Sequence, residues 1–122
     1  MTSIAFAILL TVLPSMNLDR ETAKTQIPRV ERIARSLHTD SKLANWTIIV
    51  LDLGEFQQAC PYEVDKFEAC SDPKTDVTRV NADWLMWGVS DKKLRHVLAH
   101  EAGHLISGSA DEDVADRTGA TL

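Results

Sequence analysis

The segment from Ser90 to Gly108, SDKKLRHVLAHEAGHLISG, constrains the chain most. Leu94, Val97, Leu98 and Leu105 recur at helical spacing, and Ala99, Ala102 and Gly103 are small packing positions among them. Ser90 or Asp91 can cap the N-terminus, where a carboxylate also suits the positive end of a helix. Gly108 is a natural stop. The spacing predicts a helix from Lys92 to about Ser107.

Inside that helix stand His100, Glu101 and His104, in the pattern His-Glu-x-x-His. Residues four apart on a helix share one face, roughly 6 Å apart along the axis, so two imidazoles can converge on one metal ion. Glu101 points to the flank of the pair, where it can reach a water without being a ligand. This is the pattern of a zinc metalloprotease helix, with the histidines as ligands and the glutamate as general base. The competing explanation is a chance match on an amphipathic helix. Its mid-helix position, behind a strand pair and ahead of a carboxylate-bearing helix, argues for metal. His96 lies four residues before His100, but three successive turns span roughly 12 Å of rise, too far for one ion. His96 is expected at the surface or in support of a ligand.

A catalytic zinc takes three protein ligands and keeps a fourth position for water. The third should follow Gly108, where Asp111, Glu112, Asp113 and Asp116 are available. A second short helix is expected over Asp111–Thr118, ended by Gly119. Glu112 and Asp116 stand four apart on one face of it. Glu112 is therefore the expected ligand, and Asp116 the acceptor that orients a ligand imidazole; Asp113 is the second choice. Ser109-x-x-Glu112 also matches a capping box, in which Glu112 only satisfies backbone donors. Asp111 and Asp113 are explained by the preference for acidic residues in a first helical turn.

Upstream, Ile27, Val30, Ile33, Ala34 and Leu37 mark a core-packing helix within Asp19–Leu37, with Arg29, Glu31, Arg32 and Arg35 on its outer face. Pro28 interrupts the pattern and is expected in the first turn of the real helix. His38 reads as a polar residue at the helix C-terminus. Trp46–Leu53 is β-branched and apolar and reads as a strand. Glu55–Lys74 reads as a loop, with Tyr62 as a surface anchor or a donor over the site. Asp76–Ala82 reads as a second strand. Trp84, Leu85, Met86 and Trp87 read as an aromatic-rich corner packed under the following helix.

With 122 residues the chain has room for one domain and one modest core. A net charge of −5, no basic run and no Gly-rich phosphate loop make nucleic acid and nucleotides poor partners. The apolar run Ile4–Leu13 is too short to span a bilayer. It reads either as the core of a signal peptide, though no Lys or Arg precedes it, or as a helix or strand packed in the interior. Cys60 and Cys70 are either two unrelated thiols or a disulfide closing a surface loop, which requires an oxidising compartment. Their spacing does not suit a zinc knuckle. The apolar run and the cysteine pair tip the balance slightly toward a secreted or periplasmic chain, with a cytoplasmic one left open. Residues 1–17 are set apart as signal peptide or N-terminal apolar segment, and residues 18–122 as the domain.

His100-Glu101-Ala102-Gly103-His104 followed by Glu112-Asp113-Val114-Ala115-Asp116 resembles the HExxH…ExxAD signature of the gluzincin metallopeptidases. The resemblance covers Ser90 to Gly119; upstream, only the order of elements is similar. It implies Zn²⁺ as cofactor, Glu112 as third ligand and Asp116 as support for a ligand histidine. The fold it implies is α+β and zincin-like: an N-terminal helix, a small twisted sheet with an edge strand, an active-site helix and a short C-terminal glutamate helix. The connection from His104 to Glu112 is short for that family. No His or Tyr follows His104 to stabilise an oxyanion, and Arg117 or Tyr62 would have to substitute. The implied function is a zinc-dependent metalloendopeptidase acting on a peptide or protein substrate, with Glu101 as general base. The substrate is expected along the edge strand, taken as Val77–Ala82. Two other classes are compatible: a non-catalytic zinc-stabilised module, and a zinc hydrolase of a non-peptide substrate.

Overall fold

A computed structural model describes residues 10–14, 20–37, 40–60 and 68–122. Among the described residues the chain is α+β, with β1 (Thr11–Pro14), α1 (Arg20–Leu37), β2 (Thr47–Leu51), α2 (Leu53–Ala59), β3 (Ala69–Asp72), β4 (Val77–Asn81), α3 (Ala82–Met86), α4 (Asp91–Ser107) and α5 (Glu112–Gly119). A 3₁₀ turn at Ser41–Leu43 leads into β2. The sheet is mixed, in the order β1-β2-β4-β3. β1, β2 and β4 run parallel, and β3 is antiparallel to β4.

Alternation along β2 divides the interior in two, as the two-residue period of a strand requires. Ile48 and Val50 face the main core, where they meet Val30, Ile33, Ala34 and Leu37 of α1 and Leu94, Leu98, Ala102 and Leu105 of α4. Ile49 and Leu51 face the other side, with Phe56 of α2 and the Cys60–Cys70 disulfide. Trp46 is fully buried, and its indole N–H donates to Thr78 Oγ1 at 2.9 Å. Thr78 in turn shares a 2.7 Å hydrogen bond with Ser71 of β3. The largest core side chain is thus tied to the edge of the sheet with its polar atom satisfied.

Several elements differ from the sequence-based expectation. α1 begins at Arg20, so Pro28 sits inside the helix rather than in its first turn. Pro28 is exposed, and the apolar stripe from Val30 onward holds the helix despite the lost backbone bond. The stretch expected as loop contains α2 and β3. Asp52 caps α2 through a 3.1 Å bond from Glu55 N, which also ends β2 at Leu51, before the expected limit at Leu53. Met86 and Trp87 are 52% and 64% exposed; only Trp84 and Leu85 of the aromatic corner enter the core. β4 is an interior strand, not the expected edge; among the described residues the edges are β1 and β3.

Leu10 packs in the main core, and β1 lies within the segment set apart as residues 1–17. Residues 1–9, His38 and Tyr62 lie outside the described residues. No helix among the described residues is long and apolar enough to cross a membrane.

Candidate metal centre

α4 is anchored at its start. Ser90 is the N-cap, its Oγ accepting from Lys93 N at 3.1 Å. Asp91 in the first turn binds Arg29 at 2.7 Å and Arg32 at 2.9 Å, both from α1. Arg32 is exposed, as expected of the outer face, and Arg29 is partly buried; both tie α1 to α4. Hydrogen bonds from Arg29 and then Arg32 hold the Asp91 carboxyl below its ordinary value. Arg29 also donates to the Val89 carbonyl, and Arg95 donates to Ser36 Oγ. Gly108 closes the helix in the left-handed region, at φ 68°.

α5 then returns against α4 with the two backbones nearly touching. A Cβ on Gly103 would lie 2.2 Å from the Ala115 carbonyl oxygen. A Cβ on Gly119 would lie 2.3 Å from the Ala99 carbonyl oxygen. Ala99 and Gly103 on one helix, and Ala115 and Gly119 on the other, are each four residues apart, so each helix presents a smooth small-residue strip to its partner. Gly119 is the last residue of α5 rather than a stop beyond it, and close approach is what requires a glycine there. The cap of α5 is Asp111, whose Oδ1 accepts from Asp113 N at 2.8 Å and Val114 N at 3.1 Å. Ser109 is therefore not the cap, and the alternative reading of Ser109 and Glu112 as a capping box does not hold.

This packing carries Glu112 and Asp116 to the two histidines. Glu112 Oε1 lies 2.6 Å from His104 Nε2 and 3.2 Å from His100 Nε2. Asp116 Oδ1 lies 2.6 Å from His100 Nδ1. His104 Nδ1 lies 2.7 Å from the Ser109 carbonyl oxygen. A carbonyl only accepts, so His104 donates from Nδ1; the Asp116 carboxylate places the His100 N–H at Nδ1 likewise. An imidazole carrying only that proton directs its Nε2 lone pair at Glu112, itself an acceptor. Three acceptors thus converge on one small space, an arrangement that calls for a shared proton or a cation.

The donor set fits a metal ion. Ligands at about 2.0–2.1 Å around a tetrahedral ion stand about 3.3 Å from one another; Glu112 Oε1 stands 3.2 Å from His100 Nε2, while its 2.6 Å from His104 Nε2 is a hydrogen-bond distance that an ion would have to widen. One ligand atom from each of His100, Glu101 and His104 also lies within 4.8 Å of the other two, a second grouping able to hold an ion. The two groupings share the histidines and differ in the carboxylate. The Glu112 oxygen is within hydrogen-bond distance of both nitrogens. Glu101 is only 2% exposed, and His104 and His100 side chains 7% and 14%. A buried carboxylate beside two imidazoles costs several kcal/mol unless a positive charge compensates it.

The remaining candidates lie elsewhere. The Asp113 and Arg117 side chains are exposed and form no hydrogen bond or ion pair with the histidines among the described residues. His96 is exposed and lines the clefts beside His100. The Ser109 carbonyl is a partner that side-chain reasoning missed; a backbone acceptor carries no residue signature. No protein family, no curated protein and no solved structure matches the chain.

Proposed function

We propose that this chain is a zinc-dependent endopeptidase of the zincin type, with His100, His104 and Glu112 as the metal ligands. The carrying observation is that both imidazole Nε2 atoms lie within 3.2 Å of Glu112 Oε1. Two imidazoles with one carboxylate is a donor set suited to zinc, and three protein ligands leave a position open. When bound, such an ion supplies Lewis acidity that polarises a carbonyl and lowers the pKa of a water.

The chain's own residues supply the rest. Asp116 and the Ser109 carbonyl hold the two imidazoles in the Nδ1–H form, keeping Nε2 available. Glu101, buried at the flank of the pair, accepts the proton of the attacking water and delivers it to the leaving amine. β3 takes over the role first given to Val77–Ala82. Among the described residues it is an edge strand, packed beside α4, to which an extended peptide can add.

The test is zinc titration of the purified chain with cleavage of an unfolded protein as readout. The reading expects one zinc per chain, turnover that a chelator abolishes and turnover that returned zinc restores. A chain that unfolds with chelator but cleaves nothing when loaded would be a zinc-stabilised module instead. Loaded chain that turns over only non-peptide esters or amides would place it among other zinc hydrolases.

A further inference from the structure

Beside His100 and Glu101 lies a cleft of about 150 Å³ walled by Glu68, Lys93, His96 and Val97. A more open hollow of about 290 Å³, lined by Ser90, Lys92, Lys93 and His96, adjoins it. Lys93 and His96 line both, so together they form a trough along α4 from the candidate ligands toward the start of the helix.

The charge of this trough runs against that of the molecule. The chain carries a net charge of −5, yet the α4 wall presents Lys92, Lys93 and His96, all exposed. Among the described residues none of the three is paired with a carboxylate. The charged neighbours on the same helix are engaged on the α1 side, Asp91 with Arg29 and Arg32, and Arg95 with Ser36. The positive end of the α4 dipole adds to the same field. Besides Glu101 of α4, the lining holds one acid, Glu68 on the opposite wall, fixed ahead of β3 by a 3.0 Å bond from Asn81 N to its carbonyl.

We infer that this trough is the specificity site of the enzyme and takes a carboxylate of the substrate near the scissile bond, set against Lys93 and His96. Val97 contacts the methylenes that carry the carboxylate. Glu68 repels the same group from the far wall and confines it to the α4 side. The carboxylate comes from a Glu or Asp side chain or from a free C-terminus. The inference rests on the peptidase reading of the site, so its test measures binding and turnover separately.

One short peptide is prepared with Glu or Gln at the residues flanking the cleavage point, each with a free or amidated C-terminus. Binding is measured by calorimetry on zinc-loaded Glu101→Gln chain, and turnover on wild type. The inference expects a preference of about fivefold or more for the carboxylate over its amide, the scale of one charge pair at a partly exposed site. The double change Lys93→Met and His96→Gln brings the ratio to within about twofold, and Glu68→Gln raises it. A preference carried by the side chain identifies a side-chain pocket, and one carried by the C-terminus identifies a terminal anchor; both support the trough. Equal binding of all four peptides, or a preference unmoved by the double change, overturns it. Carboxylate-selective binding without turnover of any peptide keeps the trough and removes the peptidase reading. Turnover without selectivity does the reverse.

Discussion

Glu112 Oε1 stands 2.6 Å from His104 Nε2, and the other nitrogen of that imidazole is already committed to the Ser109 carbonyl. With its Nε2 unprotonated, the imidazole faces the carboxylate as acceptor against acceptor, an arrangement that a shared proton or a cation relieves. Metal titration followed by equilibrium dialysis tests this directly. His104→Ala and Glu112→Ala are expected to lose stoichiometric zinc. Asp116→Asn, which disturbs only the orienting contact to His100, is expected to weaken zinc by about 10–100-fold. Unchanged affinity in Glu112→Ala would move the third ligand to Glu101.

The approach of α5 to α4 depends on hydrogen atoms at two positions. Gly103→Ala places a methyl 2.2 Å from the Ala115 carbonyl, and Gly119→Ala places one 2.3 Å from the Ala99 carbonyl. Each is expected to cost about 1–3 kcal/mol by forcing the helices apart, after subtracting up to about 1 kcal/mol of improved helix propensity. Because the shift moves Glu112 and Asp116, zinc affinity is expected to fall with stability. Urea unfolding with and without zinc checks both. Variants as stable as wild type would contradict the backbone contact.

Cys60 at the end of α2 and Cys70 in β3 form a disulfide that closes a loop with a sequence separation of 10. Loops of this length contribute about 3 kcal/mol in the chain-entropy picture. Replacing both cysteines by Ser is expected to lower stability by about that amount and to loosen β3, the strand proposed to receive substrate. A thiol count under denaturing conditions checks the bond itself: the unreduced chain is expected to show no free thiol among these two.

Asp91 ties α4 to Arg29 and Arg32, and its carboxyl is held below the ordinary 3.8. A depressed carboxyl contributes stability that is complete above the unfolded value and is lost as pH falls through the folded one. The contribution is therefore present from neutral pH down to about pH 4 and disappears below it. Asp91→Asn is expected to lower stability at pH 7 and to flatten the acid limb of the stability curve. An acid limb identical to that of wild type would show that the clamp contributes nothing.

The sequence makes α4 and α5 legible because both are local: caps, stripe, stop and carboxylate spacing lie within thirty residues of one another. The same locality makes His100, Glu101, His104, Glu112 and Asp116 readable as one group. α2 is not legible, because seven residues with the single buried anchor Phe56 show no helical period. β3 is hidden for a related reason: four residues, ACSD, carry no strand pattern, and their place is fixed by β4 and the disulfide. The interior position of β4 is a matter of strand order, which hydrophobic alternation does not encode. The role of Gly119 escapes because a helix-ending glycine and a close-packing glycine look alike in one dimension. Arg29 and Arg32 belong on the polar side of α1 by pattern, and only the docked start of α4 supplies their partner.

The most direct test of the account is Glu101→Gln. The change removes a proton acceptor while keeping shape, and Glu101 is the one acidic residue of the site given no part in holding the ion. With zinc content verified at one per chain, the account predicts cleavage of an unfolded protein reduced by about 10²–10⁴-fold, with zinc affinity retained. Equal turnover in Glu101→Gln and wild type would contradict the mechanism, and loss of zinc in this variant would make Glu101 a ligand instead.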